Sequence, residues 1–96
     1  MIFGQDTKEN ISSEISDEVN SKLSYRVILF NDEWHTFDEV ITQLIKALGC
    51  SYDKASALTL KVHLNGKAVV YEGDLPQCLK ISSVLEEIAL KTQVES

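Results

Sequence analysis

The chain has 96 residues, which is enough for one small domain and too short for two domains or for most cofactor-binding enzyme folds. Its 15 acidic and 9 basic residues give a net charge of −6. This charge repels phosphate backbones, and no apolar run approaches the roughly 18 residues of a membrane helix, so we expect neither nucleic acid nor a membrane as a partner.

Composition divides the chain near residue 24. Residues 1–23 are rich in acids, Ser and Asn and lack a sustained apolar period, which predicts a flexible acidic N-terminal arm. Residues 24–96 are dense in apolar residues and predict the folded domain. Its first element is a buried strand, Tyr25-Arg-Val-Ile-Leu-Phe30, which stops at the turn formers Asn31 and Asp32.

Three helices follow with clear boundary signals. Thr36 and Glu39 fit a capping box for the first helix, which Gly49 ends. Ser51 caps the second helix, which stops at Asn65-Gly66. Asp74 caps the third helix, with Pro76 in its first turn. The apolar residues that recur at helical spacing are Phe37, Val40, Ile41, Leu44, Ile45 and Leu48 in the first helix, Tyr52, Ala55, Leu58 and Val62 in the second, and Cys78, Ile81, Val84, Leu85 and Ile88 in the third.

Two more strands complete the prediction. Residues 67–71 are the second strand, and the alternating tail Leu90–Val94 is the third. The predicted fold class is α+β, a small single-domain β-α-α-β-α-β sandwich in which three helices cover a three-stranded antiparallel sheet.

The cysteines give no sign of a metal or disulfide framework. Cys50 and Cys78 lie 28 positions apart and have no ligand spacing. We therefore expect free thiols in a reducing cytoplasm. No cofactor and no metal site are predicted.

A polar run between the first strand and the first helix is the main candidate for function. Asn31-Asp32-Glu33-Trp34-His35-Thr36 lies where a rigid scaffold presents a loop. The purely structural interpretation is a turn and a helix cap. Two adjacent acids, an Asn and a Trp are more than a turn requires.

His63, on the second helix, is the other candidate. A lone helical His is more often a satisfied surface or core residue than a ligand. A metal site from His35, His63 and the acids lacks ligand spacing. A small hydrolase that pairs Cys50 with His63 or His35 is a weak alternative, because Cys50 follows a helix end rather than the helix N-terminus that favours a thiolate.

These segments together resemble the ClpS adaptor family. Its pattern is a strand ending in Asn-Asp-acid, followed by Val-His-x-x-Gly-Lys-Ala; here Val62 and His63 follow Asn31 by 31 and 32 residues. The resemblance covers about residues 24–95. Residues 31–41 also resemble the ClpS-homology domain of eukaryotic UBR-type ubiquitin ligases.

The resemblance implies a receptor for proteins with a bulky hydrophobic N-terminal residue (Phe, Tyr, Trp or Leu), which it hands to a Clp AAA+ unfoldase of the ClpA or ClpC type. It places Asn31, Asp32, Glu33 and His63 at the α-amino-group site. It places Phe37, Val40, Thr59 and Val62 in the side-chain pocket, with His35 and Thr36 as accessory positions. It further implies a non-enzymatic protein, expected to be a monomer, whose arm engages the unfoldase. An interaction module that regulates a Clp unfoldase without reading N-termini is the alternative.

Three parts of the chain depart from the family pattern. His35-Thr36-Phe37 stands where the family often has Thr-Pro-Met, and Thr59 replaces a pocket methionine. On the third helix Lys80 matches the lysine that docks the unfoldase, but Leu75 or Pro76 falls at the position of the accompanying glutamate, with Asp74 nearby.

Overall fold

The computed structural model describes residues 24–96. Their elements in chain order are β1 (Tyr25–Phe30), α1 (Phe37–Leu48), α2 (Tyr52–Asn65), β2 (Lys67–Gly73), α3 (Leu75–Glu86) and β3 (Thr92–Glu95). The predicted β-α-α-β-α-β order and α+β class are confirmed. The predicted acidic arm lies outside the described residues, so the division near residue 24 stays a prediction.

The three strands form one antiparallel sheet in the order β2-β1-β3. Because β1 is central and runs against both neighbours, its C-terminal end lies beside the starts of β2 and β3. The backbone N–H of Phe30 donates to the Lys91 carbonyl at 3.0 Å, and that of Asn31 donates to the Gly66 carbonyl at 2.9 Å. The loop after β1 is thus fixed between the α2–β2 and α3–β3 turns.

The helix boundaries follow the predicted caps. Thr36 and Glu39 form a capping box at the start of α1, Ser51 accepts from the Lys54 N–H at the start of α2, and Asp74 accepts from the Gln77 N–H at the start of α3. Gly49 and Gly66 end the first two helices with φ values of 66° and 83°. These are left-handed conformations that glycine adopts without steric cost.

The core lies between the helices and one face of the sheet. Its buried members are Val27, Leu29, Ile41, Leu44, Ala55, Val62, Ala68, Val70, Cys78, Ile81, Leu85 and Leu90. Tyr52, which the sequence pattern puts on the inward stripe of α2, is instead 58% exposed. None of the helices in residues 24–96 combines the length and apolar character needed to span a bilayer.

Gln43 is a core residue that the apolar pattern does not reveal. Its side chain is 6% exposed, and its Nε2 donates to the Val84 carbonyl at 2.6 Å and to Glu87 Oε1 at 3.3 Å. It therefore satisfies a carbonyl in the last turn of α3 while it fastens α1 to that helix.

The turn after α3 contains an alanine in a glycine-like conformation. Ala89 has a φ of 65°, and its N–H donates to the Glu86 carbonyl at 2.9 Å. This turn sends Leu90 into the core, so β3 begins at Thr92 and not at Leu90 as the alternating tail predicts.

Replacing Ala89 by glycine should therefore stabilise the protein. The left-handed conformation costs an alanine about 1–2 kcal/mol, and the extra backbone entropy of glycine offsets about 0.5–1 kcal/mol of the gain. We expect a net increase of about 0.5–1 kcal/mol in the free energy of urea unfolding. Ala57→Gly, at an exposed position inside α2, is the matched control and should lose about 1 kcal/mol. Equal losses in both variants would contradict the argument.

Candidate functional site

A cavity of about 350 Å³ opens where α1, α2 and the loop after β1 meet. Ten of the eleven candidate residues line it: Asn31, Asp32, Glu33 and His63, Phe37, Val40, Thr59 and Val62, and His35 and Thr36. The eleventh, Lys80, lies on the exposed side of α3, next to Leu79. The sequence motifs therefore mark one place in the molecule.

Three lining residues are absent from the candidate set. Leu29 and Phe30 come from the end of β1, and Leu90 comes from the α3–β3 turn. The first two directly precede Asn31 and could have been named from that position. Leu90 carries no such signal, because its approach depends on the left-handed turn at Ala89.

The inner wall of the cavity is apolar and tightly packed. Val62 is 4% exposed and Thr59 is 3% exposed. The Thr59 hydroxyl donates to the Ala55 carbonyl at 2.8 Å, within its own helix. Its only proton is thereby engaged, so Thr59 makes the wall roomier than a methionine would but adds no free donor to it.

An aromatic pair stands at the cavity entrance. The rings of Phe37 and His63 meet edge to face, with centroids 5.2 Å apart and an angle of 69° between their planes. Phe37 remains 43% exposed, so a side chain that enters the cavity would contact it. This pair joins the apolar part of the site to the polar part.

The polar rim offers acceptors. Asn31, Glu33 and His63 are exposed, and none of their side chains forms a hydrogen bond with another residue of the described range 24–96. An amide oxygen, a carboxylate and a neutral imidazole nitrogen are all acceptors. Together they suit a ligand that carries several N–H donors and a positive charge.

Asp32 differs from the other three, because donors of its own loop already occupy its carboxylate. Oδ1 accepts from the backbone N–H groups of Trp34 at 2.9 Å and of His35 at 3.0 Å, and Oδ2 lies 2.8 Å from His35 Nδ1. Burial raises the pKa of this carboxyl, but the hydrogen bonds from His35 and Trp34 outweigh it and hold the pKa below its usual value. Asp32 thus orders the loop.

Neither cysteine lines the cavity, and the described residues contain no cluster of metal-ligand type. Cys50 does not line the cavity that contains His63, and both cysteines are unpaired, with Cys78 buried. Within residues 24–96, no three His, Cys, Asp or Glu side chains come together as a metal-binding group.

Comparison with known proteins gives a consistent result. Residues 20–94 match the family profile described as ATP-dependent Clp protease adaptor protein ClpS. The chain is 36% identical over 62 residues to the ATP-dependent Clp protease adapter protein ClpS of Desulforapulum autotrophicum, an alignment that covers 65% of this chain and 60% of that protein. With ClpS of Wolinella succinogenes, identity is 34% over 83 residues, 84% of this chain and 78% of that protein.

A eukaryotic relative and a solved structure extend the comparison. The human E3 ubiquitin-protein ligase UBR2 is 37% identical over 62 residues, which are 65% of this chain but only 4% of the ligase. The structure of Agrobacterium tumefaciens ClpS2 bound to L-phenylalaninamide superposes with a TM-score of 0.72 at 20% identity. That superposition covers 76% of this chain and 95% of the other, and it supports the fold.

Proposed function

Because the chain belongs to the ClpS adaptor family, we propose that it binds proteins with a bulky hydrophobic N-terminal residue and delivers them to a Clp AAA+ unfoldase. The observation that carries the proposal is a cavity that combines an apolar interior with a rim of acceptors that make no side-chain hydrogen bond within residues 24–96. A free α-amino group is a cation with three N–H donors, and the side chain next to it is apolar. One N-terminal residue matches both halves of the cavity.

The dimensions and energies fit one residue. A volume of about 350 Å³ lies at the lower end of the roughly 300–1,000 Å³ that small-molecule sites enclose. Burial of one large apolar side chain contributes about 1.5–3 kcal/mol, and each charge-assisted hydrogen bond contributes about 1.5–3 kcal/mol. One side chain and three such bonds reach roughly 6–12 kcal/mol before ordering costs, against about 8 kcal/mol for a micromolar complex.

We assign the roles as follows. Asn31, Glu33 and His63 accept the hydrogen bonds of the ammonium group, while Asp32, beside them, orders the loop. Phe37, Val40, Thr59 and Val62 contact the side chain. Membership of an adaptor family supports a binding role without catalysis.

Delivery requires a second surface that leaves the cavity free. Lys80 and its neighbour Leu79, which is 53% exposed, lie on the outer side of α3. Neither residue lines the cavity. This side of α3 is therefore our proposed contact with a Clp unfoldase, and bound substrate would not obstruct it.

Peptides that differ only at the α-amino group test the proposal. A peptide that begins with Phe should bind at least about a hundredfold more tightly with a free N-terminus than when acetylated. Acetylation removes the positive charge and two of the three N–H donors, at about 1.5–3 kcal/mol per charge-assisted bond. Fluorescence anisotropy of labelled peptides measures both affinities. An Asp-initial peptide with a free amine is the control for the side chain.

Equal affinity for the free and acetylated peptides would contradict this function. It would instead favour the alternative, a module that regulates a Clp unfoldase without reading N-termini.

A further inference from the structure

His35 faces an acceptor at each of its ring nitrogens. Nδ1 lies 2.8 Å from Asp32 Oδ2, and Nε2 lies 2.5 Å from the carbonyl oxygen of Ile88, 53 positions along the chain. A carboxylate and a carbonyl only accept hydrogen bonds, and a neutral imidazole has a single N–H. Both contacts are hydrogen bonds only if both nitrogens are protonated. The geometry therefore fits the imidazolium form.

The surroundings favour that charged form. The His35 side chain is 13% exposed, and the hydrogen bond with Asp32 is the main reason that its pKa lies above the usual value, with the Ile88 carbonyl adding to the effect and burial opposing it. Glu39 of α1 also faces the ring and acts in the same direction. The carbonyl of Ile88 follows the C-terminus of α3, where the helix dipole stabilises a cation.

The remaining charged groups near His35 lie on either side of it. Asp38 and Glu39 border an open groove of about 460 Å³ on the α1 side. Glu33 and His63 line the ligand cavity with His35 on the other side. His35 lines both depressions.

The contact to Ile88 is unusual among the hydrogen bonds of this loop. The two ends of the loop are fixed by the hydrogen bond from the Asn31 N–H to the Gly66 carbonyl and by Thr36, which caps α1. Between those ends, Asp32 Oδ1 accepts hydrogen bonds only from N–H groups of the loop's own backbone. Within the described range 24–96, the bond from His35 to Ile88 is the hydrogen bond through which residues 32–35 reach another element. We call the two contacts of the His35 ring the Asp32–His35–Ile88 bridge.

We propose that His35, protonated on both nitrogens, is a positioning residue that holds the loop of residues 31–36 against the α3–β3 turn and so pre-forms the cavity for an N-terminal residue. The turn also supplies Leu90 to the cavity, so the bridge fixes the apolar floor and the polar rim relative to each other. The bridge also neutralises Asp32, so that the charge directed at the ammonium group comes from Glu33. This inference rests on the proposed function.

The first test is spectroscopic and needs no peptide. In a pH titration of the full chain followed by ¹⁵N-detected NMR, His35 should keep both ring nitrogens protonated to a higher pH than a free imidazole, whose pKa is about 6.5. Asp32→Asn removes the carboxylate charge from the bridge, so the His35 titration should move to lower pH. Loss of one ring proton from His35 at or below the pH at which a free imidazole titrates, or an unmoved titration in Asp32→Asn, would overturn the proposal.

The second test measures peptide affinity against pH in the wild type and in His35→Gln. The Gln amide can donate to Ile88 or to Asp32 but carries no charge. Below the pKa of His35 we expect His35→Gln to bind a Phe-initial peptide about tenfold more weakly, the effect of about one hydrogen bond to a charged group. Because the pKa of His35 is raised, the bridge is complete at low pH and is lost as the pH rises through that value. The ratio of the two affinities should therefore fall toward one in alkaline solution.

The controls separate this proposal from the function on which it rests. The titration of the peptide amine is common to both proteins and cancels in the ratio. Thr42→Ala, in the neighbouring groove, should leave the affinity unchanged, and urea unfolding shows that each variant is folded. Wild-type protein that does not distinguish free from acetylated peptide contradicts the proposed function, while the NMR test of the bridge still stands. Parallel pH profiles in wild type and His35→Gln, with free-amine selectivity intact, overturn the bridge alone.

Discussion

Replacement of His63 by alanine is expected to weaken the binding of a Phe-initial peptide roughly 10- to 100-fold, the effect of one charge-assisted hydrogen bond worth about 1.5–3 kcal/mol. The side chain is exposed at the cavity and makes no hydrogen bond within residues 24–96, so its acceptor is free for a ligand. His63→Phe separates the acceptor from the packing, because a phenyl ring retains an aromatic contact with Phe37 but accepts no such bond. Both variants should show a similar loss in isothermal titration calorimetry.

Two comparisons make this result specific. Lys61→Ala changes an exposed residue of the same helix that does not line the cavity, so it should leave the affinity unchanged. The acetylated peptide should lose little further affinity in His63→Ala. If His63→Phe bound as tightly as the wild type, packing and not the acceptor would be the contribution of His63.

The elements of the fold are readable from the sequence because their signals are local. Thr36 with Glu39, Ser51 and Asp74 satisfy N–H groups within their own first turns, and Gly49 and Gly66 end helices through their own backbone conformations. None of these depends on a distant partner. The length of β2 is different: it extends to Gly73 because Tyr25 at the far end of β1 pairs with that residue.

In the site, too, the local features could be predicted from the sequence and the long-range contacts could not. The loop of residues 31–36 and His63 could be predicted because each carries chemistry beyond the needs of a turn or a helix face. Three contacts could not be predicted. They are the hydrogen bonds of Asp32 within its own loop, the bond from the Thr59 hydroxyl to the Ala55 carbonyl, and the contact of His35 with Ile88. His35 and Ile88 lie 53 positions apart. No sequence pattern indicates which carbonyl near the turn at Ala89 will face the His35 ring.

The choice of first residue should follow from Phe37 and Thr59. A β-branched residue places its extra methyl next to the backbone, at the entrance of the cavity. There the ring of Phe37 packs against that of His63, with the ring centroids 5.2 Å apart. A phenyl ring has two side-chain torsions and adapts less than a thioether chain. We expect peptides that begin with Ile or Val to lose most of the burial contribution, about 1.5–3 kcal/mol relative to Phe. Anisotropy titrations of peptides identical except at residue one measure this difference, and tight binding of Ile would contradict the role of Phe37.

Thr59 should separate the aromatic residues from leucine. Thr59 is buried at the inner wall, and its hydroxyl donates to the Ala55 carbonyl. Because its side chain is shorter than the methionine of the family pattern, it leaves volume in the cavity. Phe, Tyr and Trp fill that volume, whereas Leu leaves part of it empty and loses contacts there. We expect Leu to bind about 1 kcal/mol more weakly than Phe, close to the burial of one methylene. Thr59→Met should raise the affinity for Leu-initial peptides and lower it for Trp-initial peptides. Thr42→Ala, outside this cavity, should leave the order of affinities unchanged. Leu binding as tightly as Phe to the wild type would show that the wall closes around the smaller side chain.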